Sequence, residues 1–279
     1  MTRRNALMMS SSLALAPLAK SLSAAPAGRL KQSAARWCYA KISMDDLCRQ
    51  GAELGLSGID LVNEADWATC KKYGLVPAMV TGSATIPIGW NRKENHDKLE
   101  KDMRDNIAKA AAAKLPNVIT FSGNRRGMDD RLGADNCVAF LNKVKAHAED
   151  KGITICMEYL NSKVNHKDYM FDHIAWGVDV MKRVNSPRVK ILYDIYHAQI
   201  MDGDIVRNIR DHFQWIGHFH TGGNPDRKEI DETQELNYRF IAQAIADLKF
   251  DGYIGHEYSP RNPANAEASL KRAIEIFTV

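Results

Sequence analysis

The sequence alternates short β-rich runs with amphipathic helical stretches along most of its 279 residues. Each helical stretch repeats apolar residues at helical spacing, as Phe240, Ile241, Ile245 and Leu248 do in the seventh. Eight runs have the length and composition of strands: 35–42, 58–62, 75–80, 117–122, 153–160, 189–195, 215–220 and 253–258. Strand followed by helix, repeated eight times, predicts an α/β protein with a single (β/α)8 TIM barrel.

Local signals agree with these boundaries. Ser43 precedes two aspartates as a helix N-cap, and Gly55, Gly74 and Gly152 follow helical stretches as C-caps. A doubly wound open sheet is the alternative, since eight parallel strands can also lie open. The glycine-rich nucleotide-binding motifs typical of such sheets do not occur in the sequence, which favours the barrel.

The first 27 residues have the layout of a secretory signal. A basic start is followed by a mildly apolar middle and an A-x-A cleavage site that ends at Ala27. The adjacent Arg3 and Arg4 resemble a twin-arginine signal, which predicts export to the periplasm. A frayed basic N-terminus is the alternative. We therefore predict two parts, a signal peptide over 1–27 and a barrel over 28–279.

The charge and composition of the chain bear on which kinds of partner it can bind. The chain carries 38 basic and 34 acidic side chains, and three of the basic ones (Arg3, Arg4 and Lys20) lie in the predicted signal. The remainder is nearly neutral, which argues against a nucleic-acid partner. No uninterrupted apolar run is long enough to span a membrane, so we expect no membrane association once the signal is removed. A homo-oligomer is compatible with this composition. The five cysteines show no regular spacing, and we predict neither a disulfide framework nor a catalytic cysteine.

Metal-competent side chains end the last four predicted strands. These are Glu158, Asp194, His220 and Glu257. In a barrel, the carboxyl ends of the strands meet at one face, where active sites lie. Three carboxylates and one imidazole suit one divalent metal ion, with Mn²⁺ or Mg²⁺ expected first and Co²⁺ or Zn²⁺ as alternatives.

Other polar and aromatic residues fall near the same predicted face. His197 and His218 are expected either to orient the ligands or to contact substrate. Arg125 and Arg126, in the loop after the fourth strand, either bind a substrate carboxylate or phosphate or remain solvated. Trp90, in the long loop after the third strand, is either a lid over the substrate or a loop anchor.

The segment 151–261 resembles the metal-dependent sugar isomerase and epimerase superfamily. The strings that carry the resemblance are ITICMEYLN, KILYDIYHAQIMDGD, IGHFHTGGNPDRKE, ELNY and YIGHEYSPR, in family order and spacing. This superfamily includes xylose isomerase, tagatose epimerase and endonuclease IV, and the sequence is most similar to its hydroxypyruvate isomerase branch. The first 120 residues resemble the family only in strand rhythm.

The resemblance implies roles for individual residues. Glu158, Asp194, His220 and Glu257 would hold the metal, and Glu158 and Glu257 would also act as acid and base. His197 and Arg227 would bind substrate oxygens, and Glu235 would stabilise a loop. Two positions depart from the hydroxypyruvate isomerase pattern: His220 stands where Gln is usual, as in the ketose epimerases, and Ser259 stands where Lys is usual.

The family chemistry implies an isomerase that interconverts a small α-hydroxy carbonyl substrate through an enediolate, as in the conversion of hydroxypyruvate to tartronate semialdehyde. A ketose 3-epimerase or an inosose-type isomerase or epimerase is the alternative. The expected partner is a small sugar or hydroxy-keto acid, in carbohydrate metabolism. An endonuclease IV-like repair enzyme needs three zinc ions and early-strand histidines, where Ile42, Val62, Val80 and Ser122 are predicted instead. A non-catalytic sugar-binding protein would be expected to lose Glu158 and Glu257 first.

Overall fold

The structure, a computed structural model, describes residues 28–279 and shows a closed barrel of eight parallel strands. The predicted signal over 1–27 lies outside the described residues. Neighbouring strands follow in chain order, and β1 closes the barrel against β8. The strands are β1 Lys31–Ala35, β2 Gly58–Val62, β3 Val76–Ser83, β4 Asn117–Thr120, β5 Thr154–Tyr159, β6 Val189–Asp194, β7 Ile216–Thr221 and β8 Tyr253–His256. The predicted single barrel is confirmed.

Helices surround the barrel. Within the described residues they are α1 Met44–Glu53, α2 Trp67–Lys72, α3 His96–Ala112, α4 Asp130–Lys151, α5 Ile174–Val184, α6 Ile195–Met201, α7 Ile205–His212, α8 Tyr238–Asp247 and α9 Ala266–Phe277. One of them, α6, was not expected from the sequence. It begins directly after β6 because the Asp194 side chain accepts from the backbone N–H groups of Tyr196 and His197.

The first strand lies earlier than the sequence predicts. The expected strand over 35–42 is wrong: β1 ends at Ala35, and Arg36–Tyr39 forms a 3-10 helix. The Arg36 guanidinium closes this turn by donating to the carbonyls of Tyr39 and Ile42. The buried polar side chain of Gln32 interrupts the apolar pattern of this strand. Its amide nitrogen donates to the carbonyl of Ile274 in the last helix and to the hydroxyl of Thr278, which follows that helix.

The predicted caps are present where they were expected. Ser43 accepts from the N–H of Asp46 at the start of α1, and Gly152 ends α4 in the left-handed conformation with φ 69°. The barrel interior holds a compact apolar layer of Met79, Ile119, Cys156 and Leu192 beneath the carboxyl ends of the strands. This layer supports the polar groups above it. No helix among residues 28–279 is long and apolar enough to cross a membrane.

Candidate metal and active site

Four buried side chains converge at the carboxyl ends of β5 to β8. Glu158, Asp194 and His220 belong to β5, β6 and β7, and Glu257 directly follows β8. Their ligand atoms all lie within 4.8 Å of one another. Parallel strands bring the last inward residue of each to the same face, so four distant sequence positions form one cluster. The structure therefore brings together the four residues predicted as metal ligands.

His220 directs one ring nitrogen into this cluster. Its Nδ1 lies 2.9 Å from Oε2 of Glu257 and 3.3 Å from Oε1 of Glu158. Its Nε2 points the other way, 3.3 Å from Oδ2 of Asp60 on β2. The imidazole thus separates the four-residue cluster from a deeper carboxylate.

Arg227 supplies positive charge at the mouth of the cluster. One guanidinium nitrogen contacts both Oδ2 of Asp194, at 3.1 Å, and Oε2 of Glu257. The guanidinium also lies over the rings of Trp37 and Tyr196, with centroid distances of 5.6 and 5.3 Å. Arg227 is therefore held between two aromatic rings and two carboxylates, where it can pair with an anionic ligand.

The tautomer of His197 follows from the hydrogen bonds of Asn161. The Asn161 side-chain oxygen accepts from the backbone N–H groups of Val164 and Asn165, so its amide nitrogen must face His197. That nitrogen lies 2.6 Å from Nδ1 of His197, which makes Nδ1 an acceptor. The His197 proton then resides on Nε2, which is fully buried, lies 3.6 Å from Oδ2 of Asp194, and has no hydrogen-bond partner within residues 28–279. His197 thus offers an N–H donor to the site.

Charge and burial shift the acidities of the cluster in opposite directions. Burial raises the pKa of Glu158 above its usual range and that of Asp194 to about 7. Burial also acts on Glu257, but the charges of His220 and Arg227 outweigh it and hold the Glu257 pKa well below its usual range. For His220, burial is outweighed by Glu257, Asp60 and Glu158, so its pKa is raised well above normal.

The remaining predicted site residues lie away from the cluster. His218 is buried one layer deeper on β7, with Nε2 2.7 Å from Oδ2 of Asp60. Trp90 is fully enclosed against Phe140, at a centroid distance of 4.1 Å, and anchors its loop; contact with substrate would require its ring to leave the core. Arg126 is exposed: its backbone N–H donates to Asp168, its carbonyl accepts from Arg92, and its guanidinium reaches the carbonyl of Pro87.

The two loop residues expected beside the site are also placed. Arg125 is turned inward and pairs with Asp130 and Asp172, so it serves the loop between β4 and α4. Glu235 accepts from Gln199 at 3.2 Å, which links the loop after β7 to α6. Both contacts hold loops at the rim of the barrel.

Sequence reasoning missed two residues that touch the cluster. Trp37 follows β1 and donates its Nε1–H to Oε1 of Glu257 at 2.6 Å. Trp37 was not recognised as a site residue because the predicted first strand, 35–42, includes it, whereas in the structure it follows the end of β1. Asp60 lies inside β2, in the run GIDLV, and an acidic residue within an apolar strand was the signal that could have revealed it.

The donor set fits a divalent metal ion. Glu158, Asp194, Glu257 and Nδ1 of His220 offer three oxygen ligands and one nitrogen ligand around one point. Such a set suits Mn²⁺, Mg²⁺, Co²⁺ or Zn²⁺, and a cluster with three carboxylates attracts a cation strongly. Buried like charges at this spacing are costly unless positive charge compensates them, as Arg227 and His220 do here and as a metal ion would.

A closed barrel that holds such a cluster at the carboxyl ends of its strands defines a TIM-barrel protein with a metal-competent site. The chain belongs to the xylose isomerase-like TIM barrel family, whose model matches residues 51–278. The resemblance inferred from the sequence is confirmed.

Curated relatives include two kinds of isomerase. A 2-oxo-tetronate isomerase from Pectobacterium atrosepticum is 31% identical over 189 residues, which cover 65% of this chain and 70% of the relative. The hydroxypyruvate isomerase of Escherichia coli is 31% identical over 106 residues, covering 37% of this chain and 41% of the relative. The chain spans about half the length of a matching Danio rerio relative, at 48%.

Solved structures share the fold. A family 2 AP endonuclease from Brucella melitensis superposes with a TM-score of 0.78 at 26% identity, covering 86% of this chain and 97% of that one. A D-psicose 3-epimerase from Clostridium cellulolyticum has a TM-score of 0.73 at 17% identity, covering 90% and 100%. The second likeness concerns the fold alone.

Proposed function

We propose that this protein is a divalent-metal-dependent isomerase of small α-hydroxy carbonyl acids, of the hydroxypyruvate or 2-oxo-tetronate type. The observation that carries the proposal is the convergence of Glu158 and Glu257 with Asp194 and His220 within 4.8 Å. The names of the curated relatives from Escherichia coli and Pectobacterium atrosepticum support the same reaction class.

Glu158 and Glu257 are the proton-transfer pair in this proposal. They enter the site from β5 and β8, with His220 between them. One carboxylate removes the proton from the carbon that bears the hydroxyl group, and the electron pair forms the double bond of an enediolate. The proton of the hydroxyl group passes to the former carbonyl oxygen, and a proton returned to the neighbouring carbon completes the isomerisation. When bound, a divalent ion supplies Lewis-acid stabilisation of the negative charge that develops on the substrate oxygens.

His197 and Arg227 bind the substrate. The Nε2–H of His197 donates to a substrate oxygen, since Asn161 fixes the proton on that nitrogen. The Arg227 guanidinium binds a substrate carboxylate, because it is a bidentate donor held at the site mouth. Trp37 holds Glu257 in position through its N–H. A substrate that carries a carboxylate can pair with the positive charge of Arg227, which favours a keto acid over an uncharged ketose.

The test is proton exchange in heavy water. The protein, loaded with Mn²⁺, is incubated with hydroxypyruvate, 2-oxo-tetronate and a panel of ketoses and inososes, and deuterium incorporation is followed by mass spectrometry. We expect incorporation at the carbon next to the carbonyl, with net conversion of a keto acid. Exchange confined to C3 of ketoses would contradict the isomerase assignment and indicate a ketose 3-epimerase. No exchange and no conversion with any compound would refute both enzymatic proposals.

Export remains a second proposal, from the twin-arginine layout of residues 1–27. Fractionation of cells that express the full chain should place the protein in the periplasm, and replacing Arg3 and Arg4 by Lys should retain it in the cytoplasm. Periplasmic protein at the same level in both strains would contradict the twin-arginine assignment.

A further inference from the structure

A second carboxylate lies directly beneath the cluster. Asp60 of β2 is fully buried, and its Oδ2 lies 2.7 Å from Nε2 of His218 and 3.3 Å from Nε2 of His220. Both histidines belong to β7, so Asp60 reaches them from across the barrel interior. None of the proton-transfer or substrate-binding steps above uses this carboxylate.

Gly255 of β8 makes this reach sterically allowed. A Cβ built at Gly255 would lie 2.2 Å from Oδ2 of Asp60 and 2.7 Å from Cδ2 of His220. No side chain larger than hydrogen fits there without displacing the carboxylate or the imidazole. Glycine at position 255 therefore leaves the space in which the side chains of Asp60 and His220 approach each other.

The two nitrogens of His220 have different neighbours. Nε2 lies 3.3 Å from Oδ2 of Asp60 and has no hydrogen-bond partner within residues 28–279, so a small movement of either side chain would let a protonated Nε2 donate to this carboxylate, which only accepts. Nδ1 faces Glu257 and Glu158, on the side where the four ligand atoms converge. A metal ion at Nδ1 would take the place of a proton there, and the proton that stays on the imidazole would lie on Nε2, beside Asp60.

We propose that Asp60 is the positioning residue of the metal centre: it fixes the ring and tautomer of His220 so that Nδ1 ligates the ion. His218 acts one step further away, because its hydrogen bond to Oδ2 orients Asp60. The inference rests on the metal site of the proposed function. Carboxylates that hold a ligating histidine in this way contribute about 10–100-fold to metal affinity.

The first test uses the unaltered protein. Long-range ¹H–¹⁵N spectra of protein labelled at histidine and saturated with Zn²⁺, which is diamagnetic, report the protonation of each ring nitrogen. The signals of His220 are assigned by their absence in His220→Gln. We expect a protonated Nε2 and an unprotonated Nδ1. A proton on Nδ1 in the loaded protein would overturn the inference.

The second test measures affinity. Asp60→Asn removes the negative charge with little change in shape, and calorimetry should show Mn²⁺ binding about 10–100-fold weaker than wild type. Asp97→Asn, at an exposed position of α3, is the matched control and should bind as wild type does. Near-ultraviolet circular dichroism in EDTA verifies that both variants are folded. If Asp60→Asn does not fold, the histidine spectra of the wild-type protein test the inference on their own.

The outcomes separate the two proposals. Equal affinity in folded Asp60→Asn and wild type would overturn the role of Asp60 and leave the proposed isomerase intact. Absence of Mn²⁺ and Zn²⁺ binding by the wild-type protein would overturn both. Weaker binding in Asp60→Asn supports Asp60 as a positioning residue, even if no substrate in the panel is turned over.

Discussion

The two halves of the barrel differ in what they bring to the catalytic face. Each of the strands β5 to β8 has one of the four clustered ligands at or directly after its carboxyl end, and the segments after β6 and β7 add His197 and Arg227. The first half contributes only supporting contacts, from Trp37 after β1 and Asp60 on β2. The late half thus holds the groups proposed to react, and the early half holds those groups in position. Substitutions in the two halves should therefore differ in size and in kind.

The largest effect is expected in the late half, at Glu257. Glu257→Gln removes one member of the proposed proton-transfer pair and one metal ligand, so turnover should fall by at least about 10²–10⁴-fold. The measurement is the rate of deuterium incorporation at saturating Mn²⁺. Glu267→Gln, at an exposed position of α9, is the control and should retain wild-type turnover. Turnover within a few-fold of wild type in Glu257→Gln would refute the assigned role.

Metal removal should also affect variants of the two halves differently. An ion that binds only the folded protein stabilises it by about 2.7 kcal/mol at 100 times its Kd, so EDTA should lower Tm. Asp194→Asn in the late half should abolish the rise in Tm on adding Mn²⁺. Asp45→Asn, on the exposed first turn of α1, should leave that rise unchanged. A Mn²⁺-dependent Tm that persists in Asp194→Asn would place the ion elsewhere.

Asn161 offers a smaller effect within the late half. Asn161→Asp replaces the amide donor to Nδ1 of His197 by an acceptor, which moves the His197 proton from Nε2 to Nδ1. The site then loses an N–H donor, and we expect KM to rise about tenfold with a smaller change in kcat, since one hydrogen bond contributes about 0.5–1.5 kcal/mol. Histidine ¹⁵N spectra report the tautomer directly. An unchanged tautomer would contradict the derivation.

Trp37 tests the supporting role of the early half. Trp37→Phe keeps an aromatic ring beside Arg227 but removes the N–H donated to Glu257. Turnover should fall several-fold, corresponding to about 0.5–1.5 kcal/mol, the net contribution of one hydrogen bond. Steady-state kinetics measure this loss. A decrease as large as that of Glu257→Gln would show that the early half takes part in the reaction and not only in positioning.

The smallest effect concerns a late-half carboxylate with a structural role. Burial acts on Asp202, but hydrogen bonds from Ile174 N–H, Tyr159 and His173 outweigh it and lower its pKa. A lowered folded-state pKa stabilises the protein above the ordinary pKa of Asp, about 3.9, and this contribution is lost as pH falls through the folded value. Asp202→Asn should therefore flatten the decline of unfolding free energy between about pH 5 and the lower folded value. An unaltered decline would exclude Asp202 as its source.

Much of the late half could be predicted from the sequence. Its strands are largely apolar runs that each have a metal-competent residue at or next to the carboxyl end, as Glu158 in ITICMEY and Asp194 in KILYD, so period, strand end and chemistry coincide. The helix α6 was missed because it follows β6 without a loop, and only the capping by Asp194 reveals it.

The early half resisted prediction for physical reasons. Lys31–Ala35 is a strand with a buried Gln32, whose burial depends on distant hydrogen bonds that no local pattern shows. In the sequence, Asp60 is an isolated charge within an apolar strand. Its partners, His218 and His220, lie about 160 residues later in the chain and meet it only in the folded barrel. Trp90 has the loop position of a lid, but packing against Phe140 encloses it, and such packing depends on the tertiary fold.

The central claim is that the late half of the barrel binds one divalent ion. The most direct measurement is an anomalous difference map from a crystal of the protein grown with Mn²⁺. The account predicts one strong peak within coordination distance of Glu158, Asp194, Glu257 and Nδ1 of His220. A map with no peak there, or with the ion bound by Asp60 and His218 instead, would contradict it.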